Sequence, residues 1–235
     1  MELIYEGKSK KVYRKDAVYL LEFKDEVTAG DGARRDAAPG KGRLAAELSA
    51  LLFRHVEAEG VPTHFIEYMP PRTIAVKPAK VAPVEVIVRF KAYGSYLKRV
   101  PTQPLKPFSK PLVEFHYKDD KLHDPLVLEE DVVEAGLADA EQVRLMKKYA
   151  VAAAEALRRL YQKADCDFVD VKFEFGVVEN GGLVLVDEIS GDTFRLLCNG
   201  EHLDKEYYRK TGDVEGLLRR YETLLNLTRN LLRKS

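Results

Sequence analysis

Three stretches of the chain concentrate residue types that can do chemistry. The first is Glu6-Gly7-Lys8-Ser9-Lys10-Lys11-Val12-Tyr13. Gly-Lys-Ser matches the end of a Walker A loop, but the earlier glycine of that motif would fall at Glu2, and Val12-Tyr13 reads as strand where a helix should start. The P-loop reading therefore fails. What remains is a glycine turn between two strands, flanked by lysines that can lie over nucleotide phosphates, or else a polar hairpin with solvated lysines. The second stretch, residues 28–36, sets Asp31 between Gly30 and Gly32 and follows it with Arg34 and Arg35. An aspartate on so free a backbone can ligate Mg²⁺ or receive a hydroxyl or amine, and the arginines can meet carboxylate or phosphate. An Asx-stabilised turn with solvated arginines is the alternative.

The third stretch is the most informative. In Asp170-Val171-Lys172-Phe173-Glu174-Phe175-Gly176, strand alternation puts Val169, Val171, Phe173 and Phe175 on one face and Asp170, Lys172 and Glu174 on the other. Asn180-Gly181-Gly182 predicts a hairpin that returns Asp187 and Glu188 alongside. Several carboxylates on one patch repel unless a cation lies between them, which points to Mg²⁺; a solvated sheet face is the other reading. Between these stretches, Gly94-Ser95 can open a helix whose free N–H groups face an anion, with Arg89 and Arg99 nearby. His123 and Asp124 before Pro125 shape a polar corner or cap a turn, while His55 and His64 read as helix-face and strand residues.

The elements that must position these residues change character along the chain. Short β-favouring runs at residues 3–5, 11–13 and 18–23 are separated by turns at Gly7 and Asp16. Gly40-Lys41-Gly42 opens a helix carrying Leu44, Leu48, Leu51, Leu52, His55 and Val56 at helical spacing, and Gly60 and Pro62 stop it. Strands return at 64–69, 73–76 and 84–90, and the four prolines of residues 100–111 make that segment a loop or an edge. Residues 140–164 form a long amphipathic helix, 168–178 and 183–189 the hairpin strands, and 213–233 a last helix with Asp213 as N-cap. Strands first and helices later predict an α+β fold, with a boundary near residues 81–83.

The 235 residues carry 38 basic and 38 acidic side chains. A formal charge of zero excludes a global electrostatic surface for nucleic acid or anionic membrane. The neutrality is uneven. Residues 72–110 hold nine basic residues and one acidic one, Glu85, whereas residues 111–192 hold nine basic and nineteen acidic ones. This is either a solvated pattern or a site with an anion-binding side and a cation-binding side. No apolar run approaches the roughly 20 residues of a membrane span, and residues 1–10 carry no signal-peptide core. Two cysteines, Cys166 and Cys198, cannot make a disulfide framework, which points to a reducing cytoplasm. Three Gln and four Asn beside many Arg, Glu and Pro predict a thermophilic source.

Taken in order, these motifs resemble those of the SAICAR synthetase family of purine biosynthesis: residues 5–13, Ala29-Gly30-Asp31-Gly32-Ala33-Arg34, Gly60-Val61-Pro62-Thr63, Pro83-Val84-Glu85, His123-Asp124-Pro125, residues 170–176 and Asp187-Glu188-Ile189-Ser190. The resemblance implies an N-terminal antiparallel β domain with a helix (residues 1–82) and a larger α+β domain (residues 83–235), with ATP in the cleft between them, an architecture similar to protein kinases and ATP-grasp enzymes. It implies that Lys8, Lys10 and Lys77 bind ATP, that the segment 80–82 faces adenine, and that Glu174 and Asp187 hold Mg²⁺. Asp31, Arg89, Ser95 and Arg195 would bind the imidazole ribotide CAIR, and Asp170, Lys172 and Asp31 would act at the reacting groups. The implied reaction joins CAIR to L-aspartate, with ATP consumed, in a cytoplasmic homo-oligomer, a dimer before larger assemblies.

The chain departs from the family's usual pattern at Tyr93, at Gly191, where proline is usual, and at Leu197, where tryptophan is frequent; the Gly191 change is expected to loosen a loop. A kinase-like phosphotransferase acting on a small molecule and a non-catalytic nucleotide sensor are the rival readings. His-Arg-Asp and Asp-Phe-Gly strings are absent.

Overall fold

Alternation in the first third builds β1 (Glu2–Glu6), β2 (Lys10–Lys15) and β3 (Val18–Phe23), followed by the hairpin β4 (Glu26–Ala29) and β5 (Arg34–Ala37), helix α1 (Lys41–Ala58), β6 (Phe65–Met69) and β7 (Thr73–Val76). The computed structural model describes residues 1–30 and 32–234, so Asp31 lies outside the described residues. Strands β1-β2-β3-β7-β6 form one antiparallel sheet, and β4-β5 stand apart as a two-stranded ribbon. The ribbon replaces the simple turn expected at residues 28–36. Helix α1 starts where expected because Gly42 lets its backbone press on the end of β3. A Cβ there would lie 2.5 Å from the Phe23 carbonyl oxygen, and the Gly42 N–H donates to Asp25 Oδ1 at 2.8 Å.

The second sheet is built from β8 (Ala79–Lys91), β9 (Pro107–Tyr117), β10 (Leu126–Val127), β11 (Cys166–Val178), β12 (Leu183–Val186), β13 (Phe194–Cys198) and β14 (Glu201–His202). Its order is β10-β9-β8-β11-β13-β14, with β12 paired to β11 through the expected hairpin. Residues 107–111 of the proline-rich segment enter as the first half of β9, and residues 100–106 form the loop before it. That half is an edge, because β10 pairs only with His116 and Phe115, so the prolines need no partner on that side. The sheets change over between β7 and β8; residues 81–83 lie inside β8, which pairs with β11 at Val81 and Lys80.

Helices α2 (Ser95–Arg99), α3 (Glu129–Glu134), α4 (Ala140–Gln162), α5 (Glu206–Thr211) and α6 (Val214–Arg233) complete the chain. Asp139 and Asp213 cap α4 and α6 by accepting the backbone N–H of Gln142 and Gly216. The apolar stripe of α4, including Met146, Ala150, Ala153 and Leu157, is buried against β8 and β11, and α1 packs on α4 and α6. One core thus runs under both sheets. Both faces of β11 are buried: Val169, Val171, Phe173 and Phe175 face the helices, and Asp170 and Glu174 are buried on the other side. The polar face of this strand is therefore not a solvated surface.

Cys166 and Cys198 correct the sequence reading, since they are joined as a disulfide. They are register partners on β11 and β13, with Cα atoms 4.3 Å apart. A spacing of 32 residues carries no hint of that pairing; strand register alone brings the two together.

Candidate active site

A cavity of about 590 Å³ separates the two sheets. The glycine turn between β1 and β2, closed by the Gly7 N–H on the Lys10 carbonyl at 2.8 Å, supplies Lys8, Ser9 and Lys10 to its wall. Lys77 follows β7, Val81 and Glu85 come from β8, Lys172 and Glu174 from β11, and Asp187 and Glu188 from the end of β12. Val12, Leu21, Val76, Ala79 and Val81 make one apolar region of this lining, suited to an aromatic ring, while the charged groups gather elsewhere in it.

Lys8, Lys10 and Lys172, and the carboxylates of that gathering, each have a partner of opposite sign. Lys10 Nζ lies 2.9 Å from Asp187 Oδ1 and also donates to Glu188. Lys172 Nζ donates to Glu85 Oε1 at 2.7 Å and to Glu174 Oε1 at 3.1 Å, and Lys118 donates to the other Glu174 oxygen. Burial alone would raise the Glu174 pKa, but Lys172 and Lys118 outweigh it and hold the carboxyl at about 2. Burial likewise works against Lys10 and Lys172, yet their carboxylate neighbours push both above the ordinary lysine value. Asp187 has a left-handed backbone with φ 68, a conformation that costs energy in a non-glycine residue and concentrates at working sites. Beside it His64 is buried, with Nε2 unpartnered among the described residues, and burial drives its pKa down to about 3.

Lys8 reaches across the mouth of the cavity. Its Nζ donates to Asp120 Oδ1 at 2.7 Å, linking the glycine turn of one sheet to the short 3₁₀ turn (Asp120–Leu122) after β9 of the other.

A second cluster lies on the same face of β11, one alternation away from Lys172. Arg89, Asp170 and Arg195 are register partners and form one row across β8, β11 and β13. Arg89 is 1% exposed and donates through Nε to Glu114 at 2.9 Å, through Nη1 to Asp170 at 2.8 Å and through Nη2 to Ser95 Oγ at 2.8 Å. Arg195 Nη1 donates to Asp170 Oδ2 at 2.8 Å and Nε to Glu206 Oε2 at 3.2 Å. Burial would raise the Glu114 carboxyl, but His116, Arg89 and Arg99 hold it at about 2. Gly94, with φ 57, lies against Arg195: a Cβ there would come within 2.7 Å of its guanidinium. The Tyr93 ring centroid is 5.2 Å from the same guanidinium, and its hydroxyl accepts from Lys210 at 2.6 Å. Tyr93 therefore buttresses Arg195.

Gly191 does not loosen its loop. A Cβ at that position would be 2.8 Å from the Tyr221 ring, and the Gly191 carbonyl accepts the Lys205 N–H at 2.9 Å, so the backbone is clamped on both sides.

Comparison with known proteins decides what this arrangement belongs to. A profile of the family described as SAICAR synthetase matches residues 3–223. A phosphoribosylaminoimidazole-succinocarboxamide synthase of Pyrobaculum calidifontis is 67% identical over 230 residues, which is 97% of this chain and 95% of that one. The chain belongs to the SAICAR synthetase family.

Solved SAICAR synthetases share its fold. The phosphoribosylaminoimidazole-succinocarboxamide synthase of Ehrlichia chaffeensis superposes with a TM-score of 0.92 at 31% identity, covering 97% of this chain and 98% of the other. A SAICAR synthetase described as in complex with ADP gives 0.91 at 34% identity, covering 95% and 96%. Against this background, Lys8, Lys10, Lys77, Lys172, Glu174 and Asp187 line the one cavity, while Asp170, Arg89, Ser95 and Arg195 form the neighbouring row. Sequence reasoning missed Lys118, Glu114, Asp192 and Lys205. Glu85 gave a faint signal, being the single acid in the basic stretch, and it stands opposite Glu174 in register.

Proposed function

We infer that this protein is an ATP-dependent ligase that joins the carboxylate of CAIR to the amine of L-aspartate, giving SAICAR, ADP and phosphate. The observation that carries this reading is the single cavity in which an apolar slot, a lysine-bearing glycine turn and two ionised carboxylates meet beside a buried arginine row, within a chain of the SAICAR synthetase family.

A carboxylate resists amines because it is anionic and has no good leaving group. In the proposed reaction a CAIR carboxylate oxygen takes the γ-phosphoryl group and ADP departs. The aspartate amine then attacks the acyl carbon, the C–O bond to phosphate breaks, and the nitrogen sheds a proton. Lys8, Lys10 and Lys77 offset the phosphate charge, and their fixed positions supply placement rather than covalent chemistry. Glu174 and Asp187 are the candidates to hold Mg²⁺. Ionised carboxylate oxygens are the donors that Mg²⁺ takes, and Glu174, held at about 2, would offer it one in its charged form. When bound, Mg²⁺ neutralises charge on those phosphates. Lys172 and Asp170 face the reacting groups in this scheme. Arg89, Ser95 and Arg195 are the proposed set for the CAIR phosphate, with Arg89 acting through the Ser95 hydroxyl it holds. Asp31 retains its proposed part in binding CAIR.

Among the described residues no helix is long and apolar enough to cross a membrane. A cytoplasmic homo-oligomer, a dimer first, completes the proposal. Incubating the protein with ATP, Mg²⁺, CAIR and aspartate, omitting each in turn, tests it. SAICAR should form only when all four are present. ADP release without aspartate would favour a phosphotransferase, and nucleotide binding with no turnover a sensor.

A further inference from the structure

The cavity contains a cation that the scheme above leaves idle. Lys205, the residue before α5, lines the wall that Asp192 and Thr193 also form. Its backbone is held firmly. The Lys205 N–H donates to the Gly191 carbonyl at 2.9 Å. The neighbouring Asp204, fully buried, accepts from the Leu196 N–H at 2.8 Å, the Glu206 N–H at 2.7 Å and His202 Nδ1 at 2.9 Å. So much anchoring fixes where the lysine starts.

Among the described residues the ammonium itself has no carboxylate of its own to meet. Asp192 is the carboxylate that acts on it most, but both Asp192 oxygens already have donors: Lys41 Nζ at 2.6 Å and the Tyr221 hydroxyl at 2.5 Å. Among the described residues Lys205 Nζ makes no ion pair, unlike Lys8, Lys10, Lys118 and Lys172 of the same cavity. Burial, opposed by Asp192 and reinforced by Arg209 and Lys41, lowers its pKa to about 8. An amine held this way gains from any carboxylate delivered to it.

Position narrows the choice of ligand. The charged groups acting on Lys205 are Asp192, Arg209, Lys41 and Glu188. Glu188 also pairs with Lys10, and Glu206, next in sequence, takes Arg195. Lys205 therefore stands between the lysines proposed for nucleotide phosphate and the arginine row proposed for the ribotide phosphate. Of the three anionic substrates, the one left without a cation is the dicarboxylic amino acid.

We propose that Lys205 Nζ binds a carboxylate of the incoming L-aspartate, making it a specificity-determining residue of the ligase reaction; this rests on the ligase reading above. The test is steady-state kinetics of Lys205→Met and Lys205→Gln, each substrate varied separately, with folding checked by circular dichroism. Losing one charge-assisted contact should raise the aspartate KM by about 10-fold or more in either variant, with the KM values for ATP and CAIR within about twofold of the parent. Lys205→Arg should recover most of that loss. An unchanged aspartate KM, or an equal rise in all three KM values, overturns the proposal, and two variants guard against one that does not fold. Absence of SAICAR formation by the parent protein instead overturns the ligase reading, and this proposal with it.

Discussion

Arg89 and Asp170 are direct partners across β8 and β11, with Nη1 donating to Oδ2 at 2.8 Å, and Arg195 Nη1 reaches the same oxygen at 2.8 Å from β13. One buried carboxylate thus balances two guanidinium groups. Removing it would strip both arginines of a shared buried partner, leaving Arg89, 1% exposed, with Glu114 as its one remaining carboxylate and Arg195 with Glu206. Asp170→Ala should therefore lower stability by about 3–5 kcal/mol, the usual loss when one member of a buried pair is deleted. Urea unfolding checks this; a loss below about 1 kcal/mol would show that the row relaxes around the gap.

Glu174 lies in the same strand, and its two oxygens are shared by Lys172 and Lys118. Glu174→Gln keeps the shape and removes the charge. Turnover should fall by at least about tenfold, and the Mg²⁺ concentration for half-maximal rate should rise. Near-parental turnover at low Mg²⁺ would remove Glu174 from the proposed metal set.

Acid should unfold this protein through a definable window. Glu174 and Glu114 are both held at about 2, below their ordinary value of 4.5. A depressed carboxyl binds fewer protons in the folded state, so its stabilisation is complete above pH 4.5 and is lost as pH falls towards 2. The melting temperature should be flat around neutrality with respect to these groups and drop through that interval. Glu114→Gln should flatten part of the drop. A melting temperature independent of pH over the same interval would contradict both assignments.

The disulfide closes a loop between residues 32 apart. Restricting an unfolded loop of that length stabilises the fold by roughly 2–4 kcal/mol. Cys198→Ser should lower the melting temperature accordingly, and reductant should lower that of the parent but not of the variant. If reductant moves neither, the bond contributes nothing to folding.

Much of this was legible from residue order. The helices α1, α4 and α6 announced themselves through apolar spacing, α1 also through its stop residue Gly60 and α6 through its cap Asp213, and the β11–β12 hairpin through Asn180-Gly181. The elements that escaped notice, such as α3, β13 and α5, are short, α3 and α5 dense in charge as well, and their form comes from neighbours: Arg195 sits on a strand because β11 offers one to pair with. Likewise the patch of carboxylates pointed to a metal ion but gave no sign of the lysines that the structure threads among them. Lys118 and Lys10 come from positions 56 and 177 residues away from Glu174 and Asp187, beyond the reach of any local pattern.

The contact between Lys8 and Asp120 joins two exposed side chains, 43% and 64% accessible. Such a bridge contributes little free energy and yields readily to salt. The doorway of the cavity is therefore held by a latch weak enough for an arriving polyanion to lift by competing for the lysine. Passage in and out should then be set by how firmly the interior grips its cargo, with the latch adding almost nothing to the residence time.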